Sequence, residues 1–237
     1  MIKKVSVIIP TFNRSTCLSR CLDALYREIN ANEVTVVVVD DGSDPQEQCR
    51  NREFCLQFNA EYIFIPNAGS SLSRNAALHL CKAEWIAFLD DDVSVNSGWY
   101  TALCKSIDSG SPDILGVEGR VVPSGEGVWD REVSNDKGGL YLTCNIAYRK
   151  SILDTIGGFD RSGNFPPCED HELAARVLEL GQIVFCPQLC VTHMPRDTNL
   201  INFIIKAPHR IRKHLNAEFH FYSLRPLDYK RFRHAPS

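Results

Sequence analysis

VSVIIP (5–10), VTVVVVD (34–40), EYIFIP (61–66) and WIAFLD (85–90) are short apolar runs, rich in β-branched residues, set apart by stretches of helical length. Runs of this length and composition are strands rather than helices. The stretches between them, at 16–29, about 45–58 and 70–82, carry helical patterning, with Ser70 or Ser71 expected to cap the third. Strands alternating with helices at this spacing predict right-handed crossovers and an α/β fold: a doubly wound, mainly parallel sheet, buried on both faces by flanking helices. In such sheets ligands bind outside the carboxyl ends of the strands.

From Asp113 to Tyr148 the pattern changes to short strands punctuated by Gly, Pro and Ser, so the complete sheet is expected to be mixed. Within it, PSGEGVWDREVSNDKGG reads as a mobile loop over a site. A helix is expected from about Glu169 to Leu180, stopped by Gly181, followed by two late strands, IVFCP and LCVTH. The organisation expected is a single domain over 1–198, with a ligand-binding half to about residue 112 and a second half over 113–198, then a basic helical extension at 199–237.

The chain has 237 residues, 44% of them hydrophobic, which suffices for one large core. A net charge of −3 argues against a nucleic-acid partner. No apolar run approaches the roughly 18 residues of a membrane span, and MIKKVSVIIPTF is too short for a signal peptide, so a cytoplasmic location is expected. From Lys206 onward the tail carries eight Lys or Arg against two Asp or Glu. Leu200, Ile204, Ile211 and Leu215 keep roughly helical spacing there, with a kink expected at Pro208. This segment is either a helix packed on the body or a basic amphipathic element lying peripherally on the inner face of an anionic membrane. The ten cysteines are scattered and read as reduced, mostly buried thiols. The C-x3-C spacing of Cys17/Cys21 and Cys186/Cys190, with no matching His pair, does not suit structural zinc.

Three consecutive carboxylates, Asp90, Asp91 and Asp92, follow the fourth strand directly. In an extended chain Asp90 and Asp92 would project to one side and Asp91 to the other. Two carboxylates converging there make a hard oxygen site suited to Mg²⁺ or Mn²⁺ and, through the ion, to a diphosphate; a solvated acidic turn is the alternative. Asp40 and Asp41 end the second strand, where they either bond a ligand or close the turn. Arg74 and Asn75 fall on the third helix; an arginine there is either an ordinary surface charge or, aimed at the same strand ends, a group suited to an anion. In PPCEDHELAARVLELG, Asp170 shares a helical face with Leu173, Val177 and Leu180 and so heads the inward stripe. The helix dipole favours its ionised form, either as plain compensation or as a general base. His193 is either a satisfied core histidine or a metal ligand.

VSVIIPTFNR, VVVVDDGSD, SLSRNAAL, WIAFLDDD, NIAYRKSILDTIGGFD and CEDHELAARVLELG, in this order and spacing, resemble the inverting glycosyltransferases of family 2, which have the GT-A fold. The resemblance spans roughly residues 4–195. It implies a nucleotide-diphospho-sugar donor, usually with a UDP leaving group, and Mn²⁺ or Mg²⁺. It puts Pro10, Thr11, Asn13 and Arg14 of the first motif, and Asp40 and Asp41 of the second, at nucleotide-sugar positions. Arg74 and Asn75 join them, with Asp90 and Asp91. Asp92, together with Asp90 and His193, matches the metal site, which selects the ligand reading of that histidine. Asp170 matches the catalytic base, with Glu169 beside it. Cys168 stands where family members often have Gly, and Arg161 where they often have Glu; both lie beside the implied acceptor site.

The resemblance implies a single displacement in which Asp170 takes the proton of an acceptor hydroxyl, on a glycan or lipid-linked sugar, and the anomeric configuration inverts. A catalytically inactive sugar-nucleotide-binding or scaffold module is the alternative from another class. A D-x-D phosphatase would need a second acidic motif after the first, whereas DDGSD precedes it. A dinucleotide-binding dehydrogenase would need G-x-G-x-x-G where this chain has PTFNRS.

Overall fold

All four apolar runs are strands in the computed structural model, which describes residues 4–108, 111–125, 133–161 and 168–194. They form β1 (Val5–Thr11), β2 (Val34–Asp41), β3 (Glu61–Ile65) and β4 (Trp85–Leu89). Side chains of the central strands alternate between two cores. Val7, Ile9, Val36, Val38, Trp85 and Ala87 lie in one, and Ile8, Val37, Val39, Ile86 and Phe88 in the other. This is why the runs are apolar throughout rather than at every second position.

Helices cover both faces. Helix α1 (Ser15–Glu28) buries Leu18, Cys21, Leu22 and Leu25, an i, i+3, i+4, i+7 stripe, on the first core. Helix α2 (Pro45–Phe58) lies beside it and α4 (Trp99–Asp108) adds Trp99 and Leu103. The second core is closed by α3 (Ser70–Leu78), α5 (Lys150–Ile156) and α6 (Glu169–Leu178), through Ala77, Ile152, Leu153, Leu173 and Val177.

The sheet is completed by β5 (Val93–Val95), β6 (Ile114–Pro123), β7 (Asn145–Arg149) and β8 (Gln182–His193), in the order β3-β2-β1-β4-β7-β6-β8-β5. Strands β1 to β4 pair parallel; β7 runs antiparallel to both β4 and β6, β8 parallel to β6, and β5 antiparallel to β8. The sheet is therefore mixed. Two registers place the site: Leu89 at the end of β4 faces Asn145 at the start of β7, and Val93 faces His193.

Several expectations are corrected. IVFCP and LCVTH are one strand, β8, in which Cys186 pairs with Gly119 and Cys190 with Arg120. The intervening bulge absorbs Pro187, which has no N–H for the ladder. Helix α3 ends at Leu78 rather than at residue 82, and its cap is Gly69 at φ 92°, not Ser70 or Ser71. Asp41 accepts the Ala68 and Gly69 N–H groups at 2.7 and 2.9 Å, so a strand-end carboxylate fixes how the chain enters the helix. Helix α6 ends at Leu178, and the Gly181 N–H closes back on the Val177 carbonyl at 3.1 Å. The proposed mobile loop is ordered along its second flank, where residues 135–141 fold around Glu118; residues 126–132 lie outside the described residues, as does the basic segment 199–237.

Candidate active site

The carboxyl ends of β1, β2 and β4 converge, and their polar residues are laced together before any ligand is considered. Asp40 is fully buried and accepts the Ser43 N–H, Asn51 Nδ2 and Tyr62 hydroxyl at 2.8, 2.8 and 2.9 Å. It closes the turn that follows β2. Asn13, in the left-handed region at φ 52°, accepts the Asp44 N–H at 2.7 Å and donates its own N–H to Ser43 Oγ at 2.8 Å. Pro10 sits within β1 opposite Val39. Phe12, which the sequence reading missed, is 41% exposed beside Thr11. A large aromatic in a polar strand-end loop was the available signal.

The three carboxylates do not follow strand alternation, because β4 stops at Leu89 and Asp91 and Asp92 form a turn. Asp91 is buried, accepts the Thr11 hydroxyl at 2.7 Å and pairs with Arg14 Nη2 at 2.9 Å. Arg14 Nη1 holds Asp92 Oδ2 at 2.8 Å. Burial pushes the Asp91 carboxyl up, and the Arg14 guanidinium opposes it. Burial pulls Arg14 down, but Asp91 and Asp92 together push it above its ordinary value. Asp92 Oδ1 lies 3.7 Å from His193 Nε2, placed there by the β5–β8 pairing and by the Met194 N–H, which donates to the Asp92 carbonyl at 2.8 Å. Asp90 turns the other way. It accepts Arg74 Nη2 at 2.7 Å, so the expected convergence of Asp90 with Asp92 and His193 does not occur. Among the described residues no three Asp, Glu, His or Cys side chains are gathered closely enough to hold an ion.

Arg74 is 3% exposed and lies between the two halves of the chain. Besides Asp90 it has Glu169 Oε1 3.6 Å from Nη1, and its guanidinium stands 5.6 Å from the centre of the Phe159 ring. Burial lowers its pKa, and Asp90, Asp170 and Glu169 more than offset this. Its neighbour Asn75 is engaged differently from expectation. Asn75 donates to the Phe159 carbonyl at 2.8 Å and accepts the Phe159 N–H at 2.9 Å, so it clamps α3 to the loop after α5. Glu169 accepts the Ser70 hydroxyl at 2.8 Å. Asp170, in the first turn of α6, accepts both the N–H and the hydroxyl of Thr143, at 3.1 and 3.0 Å. Burial raises its carboxyl to about 6, against the pull of Arg74. Thr143 carried no sequence signal, because its role depends on β7 starting beside the end of β4.

This chain matches the model for glycosyl transferase family 2 over residues 6–161. The poly(ribitol-phosphate) β-N-acetylglucosaminyltransferase TarS of Staphylococcus aureus is 32% identical over 131 residues, 51% of this chain and 22% of its own length. The pre-mycofactocin glycosyltransferase of Mycobacterium tuberculosis is 27% identical over 226 residues, 86% of this chain and 45% of its own. The structure of TarS residues 1–349 in complex with UDP-GlcNAc aligns with a TM-score of 0.70 at 21% identity, over 83% of this chain and 60% of that one. A mannosyltransferase from Pyrobaculum calidifontis, in complex with GDP-Man and Mn²⁺, aligns at 0.63 and 16% identity, over 88% of this chain and 65% of that one. The chain thus spans less than two thirds of each, and the shared feature is the mixed sheet flanked by helices.

Proposed function

This chain belongs to glycosyl transferase family 2, and on that premise we propose that it moves a sugar from a UDP-sugar to an acceptor hydroxyl by a single inverting displacement. One observation carries the reading. The buried Arg74 guanidinium joins Asp90, at the end of β4, to Glu169, beside Asp170. The groups suited to a nucleotide diphosphate and the carboxyl suited to be a base are thereby gathered at one end of the sheet. UDP is favoured because TarS is the relative bound to UDP-GlcNAc.

In this reading the exposed Phe12 ring offers a stacking face for the base. Asp40, Asp41 and Asn13 keep the surrounding loops rigid, and Asp90 with Arg74 meets the ribose and diphosphate. Asp92 and His193 fit a divalent ion. Their facing atoms, 3.7 Å apart, are too far for a hydrogen bond. A carboxylate with an imidazole suits Mn²⁺, and such ions are commonly held by one or two side chains and completed by substrate phosphates. When bound, the ion would neutralise charge on the leaving diphosphate. Arg14 keeps Asp92 oriented by occupying its other oxygen.

Asp170 accepts the proton of the acceptor hydroxyl while that oxygen attacks the anomeric carbon and the bond to the diphosphate breaks. Thr143 aims the carboxyl, and Glu169 ties α6 to α3 through Ser70. We place the acceptor among glycans and lipid-linked sugars, met at the cytoplasmic side. No helix among the described residues is long and apolar enough to cross a membrane, and the basic tail is the segment proposed for peripheral contact.

Calorimetry with UDP, GDP and CDP, with and without Mn²⁺, tests the donor site. Mn²⁺-dependent UDP binding lost in Asp92→Asn is the expected result. Folded wild-type protein that binds none of the three would sink the reading.

A further inference from the structure

We propose that Glu118, a buried carboxylate on β6, is the positioning residue for Asp170, acting through the loop that carries Thr143. The proposal rests on the reading of Asp170 as the base. Glu118 is 2% exposed and reaches no part of the donor site described above. Its carboxylate instead gathers four donors from one segment. These are Asn135 Nδ2 at 2.7 Å and the N–H groups of Gly139, Leu140 and Tyr141 at 2.7, 2.9 and 2.5 Å.

The segment needs such an anchor. Gly138, Gly139 and Tyr141 all lie in the left-handed region, at φ 78°, 87° and 51°. That conformation is strained for tyrosine and persists only where the surroundings impose it. A Cβ at Gly138 would meet the Phe185 ring at 2.7 Å, so the chain passes between that ring and the Glu118 carboxylate. The Asn145 N–H then bonds the Leu142 carbonyl at 3.0 Å, turning the chain into β7, where Ile146 is the register partner of Glu118. Thr143 sits within this turn. Among the described residues the hydrogen bonds to Asp170 come from Thr143. The path from Glu118 to the base is therefore continuous: carboxylate, three successive amides, one turn, two donors.

The consequence is electrostatic as well as geometric. Burial and Glu169 raise the Asp170 carboxyl; Arg74 from α3 and the Thr143 N–H lower it, and Asp90 adds a smaller upward push. Cys144, Tyr148 and Cys168 are the other titratable neighbours that feel Asp170. Freeing the 139–141 amides would let Thr143 drift and leave the ionised base with fewer donors.

The test is the ionisation midpoint of Asp170, followed by carboxyl carbon NMR in the full chain and assigned with Asp170→Asn. Glu118→Gln turns an amide donor toward the backbone N–H groups, and Thr143→Val deletes one donor directly. Each single change is expected to raise the midpoint by about one pH unit, the worth of a hydrogen bond to a charged group. The double variant should raise it no further than the larger single change. A folded Glu118→Gln with an unmoved midpoint overturns the proposal, as does full additivity. If Glu118→Gln does not fold, Glu118→Asp keeps the charge at shorter reach and must still shift the midpoint upward; an unmoved value there also overturns it. The midpoint is read without any sugar donor, so the base reading fails separately, by undiminished turnover in Asp170→Asn.

Discussion

Asp170, in the role of base proposed above, would serve catalysis at the expense of the fold. Burial lifts its carboxyl to about 6, above the ordinary carboxylate value, so the folded state binds that proton more tightly than the unfolded chain does. Protonation therefore stabilises the protein, and the stability falls as pH rises through about 6. Activity should run the opposite way, rising through the same range as the base ionises. Asp170→Asn is accordingly expected to lose roughly 10²–10⁴ in turnover. Its thermal midpoint at pH 8 should be no lower than wild type, because the amide oxygen still accepts from Thr143, the desolvation cost of the carboxylate is removed, and Asp90 and Glu169 still face Arg74. Differential scanning calorimetry beside a turnover assay checks both. Arg14 presents the reverse case. Arg14→Gln leaves Asp91 and Asp92 without their shared cation and is expected to cost up to about 3 kcal/mol in denaturant unfolding, the lower end for a buried pair because Arg14 is partly exposed. Both carboxylate clusters were visible in the sequence, but their partners were not. Asp90 looked equivalent to Asp92 until the strand was seen to end at Leu89.

The elements near the site are held by backbone-specific contacts, and α3 is the clearest case. Its Asn75 clamps Phe159, and a Cβ at Gly158, at φ 72°, would meet Asn75 Oδ1 at 2.4 Å. Gly157 shares the left-handed conformation at φ 78° but faces open space. Gly158→Ala should therefore destabilise by about 2–3 kcal/mol and Gly157→Ala by about 1 kcal/mol, a difference that chemical denaturation resolves. Helix existence was legible from apolar spacing, as in Leu18, Leu22 and Leu25 of α1. Helix ends were less so. The entry of the chain into α3 is held by Asp41, a strand-end residue 28 positions before Gly69, which no local pattern announces. Strand β8 misled for a related reason: Pro187 interrupts the run, and only pairing with β6 carries it through as a bulge.

At the scale of the molecule, the parallel strands β1–β4 meet the mixed remainder of the sheet at the antiparallel β4–β7 pair, and the candidate site straddles that seam. Ligand that binds across it should stabilise the whole fold. UDP with Mn²⁺ at about a hundred times its dissociation constant is expected to add about 2.7 kcal/mol, seen as a rise in Tm, while UDP with a chelator should add little. The sequence by itself determined the α/β class, the order of its first strands and helices, and which carboxylates gather at strand ends. Those features follow from apolar periodicity and from neighbours close along the chain. Tertiary structure alone decided that Asp90 joins Arg74, that Asp92 faces His193, and that Glu118 and Thr143 stand behind Asp170. These contacts link residues 16 to more than 100 positions apart, and they are set by strand register and turn geometry, which a linear pattern of residue types does not encode.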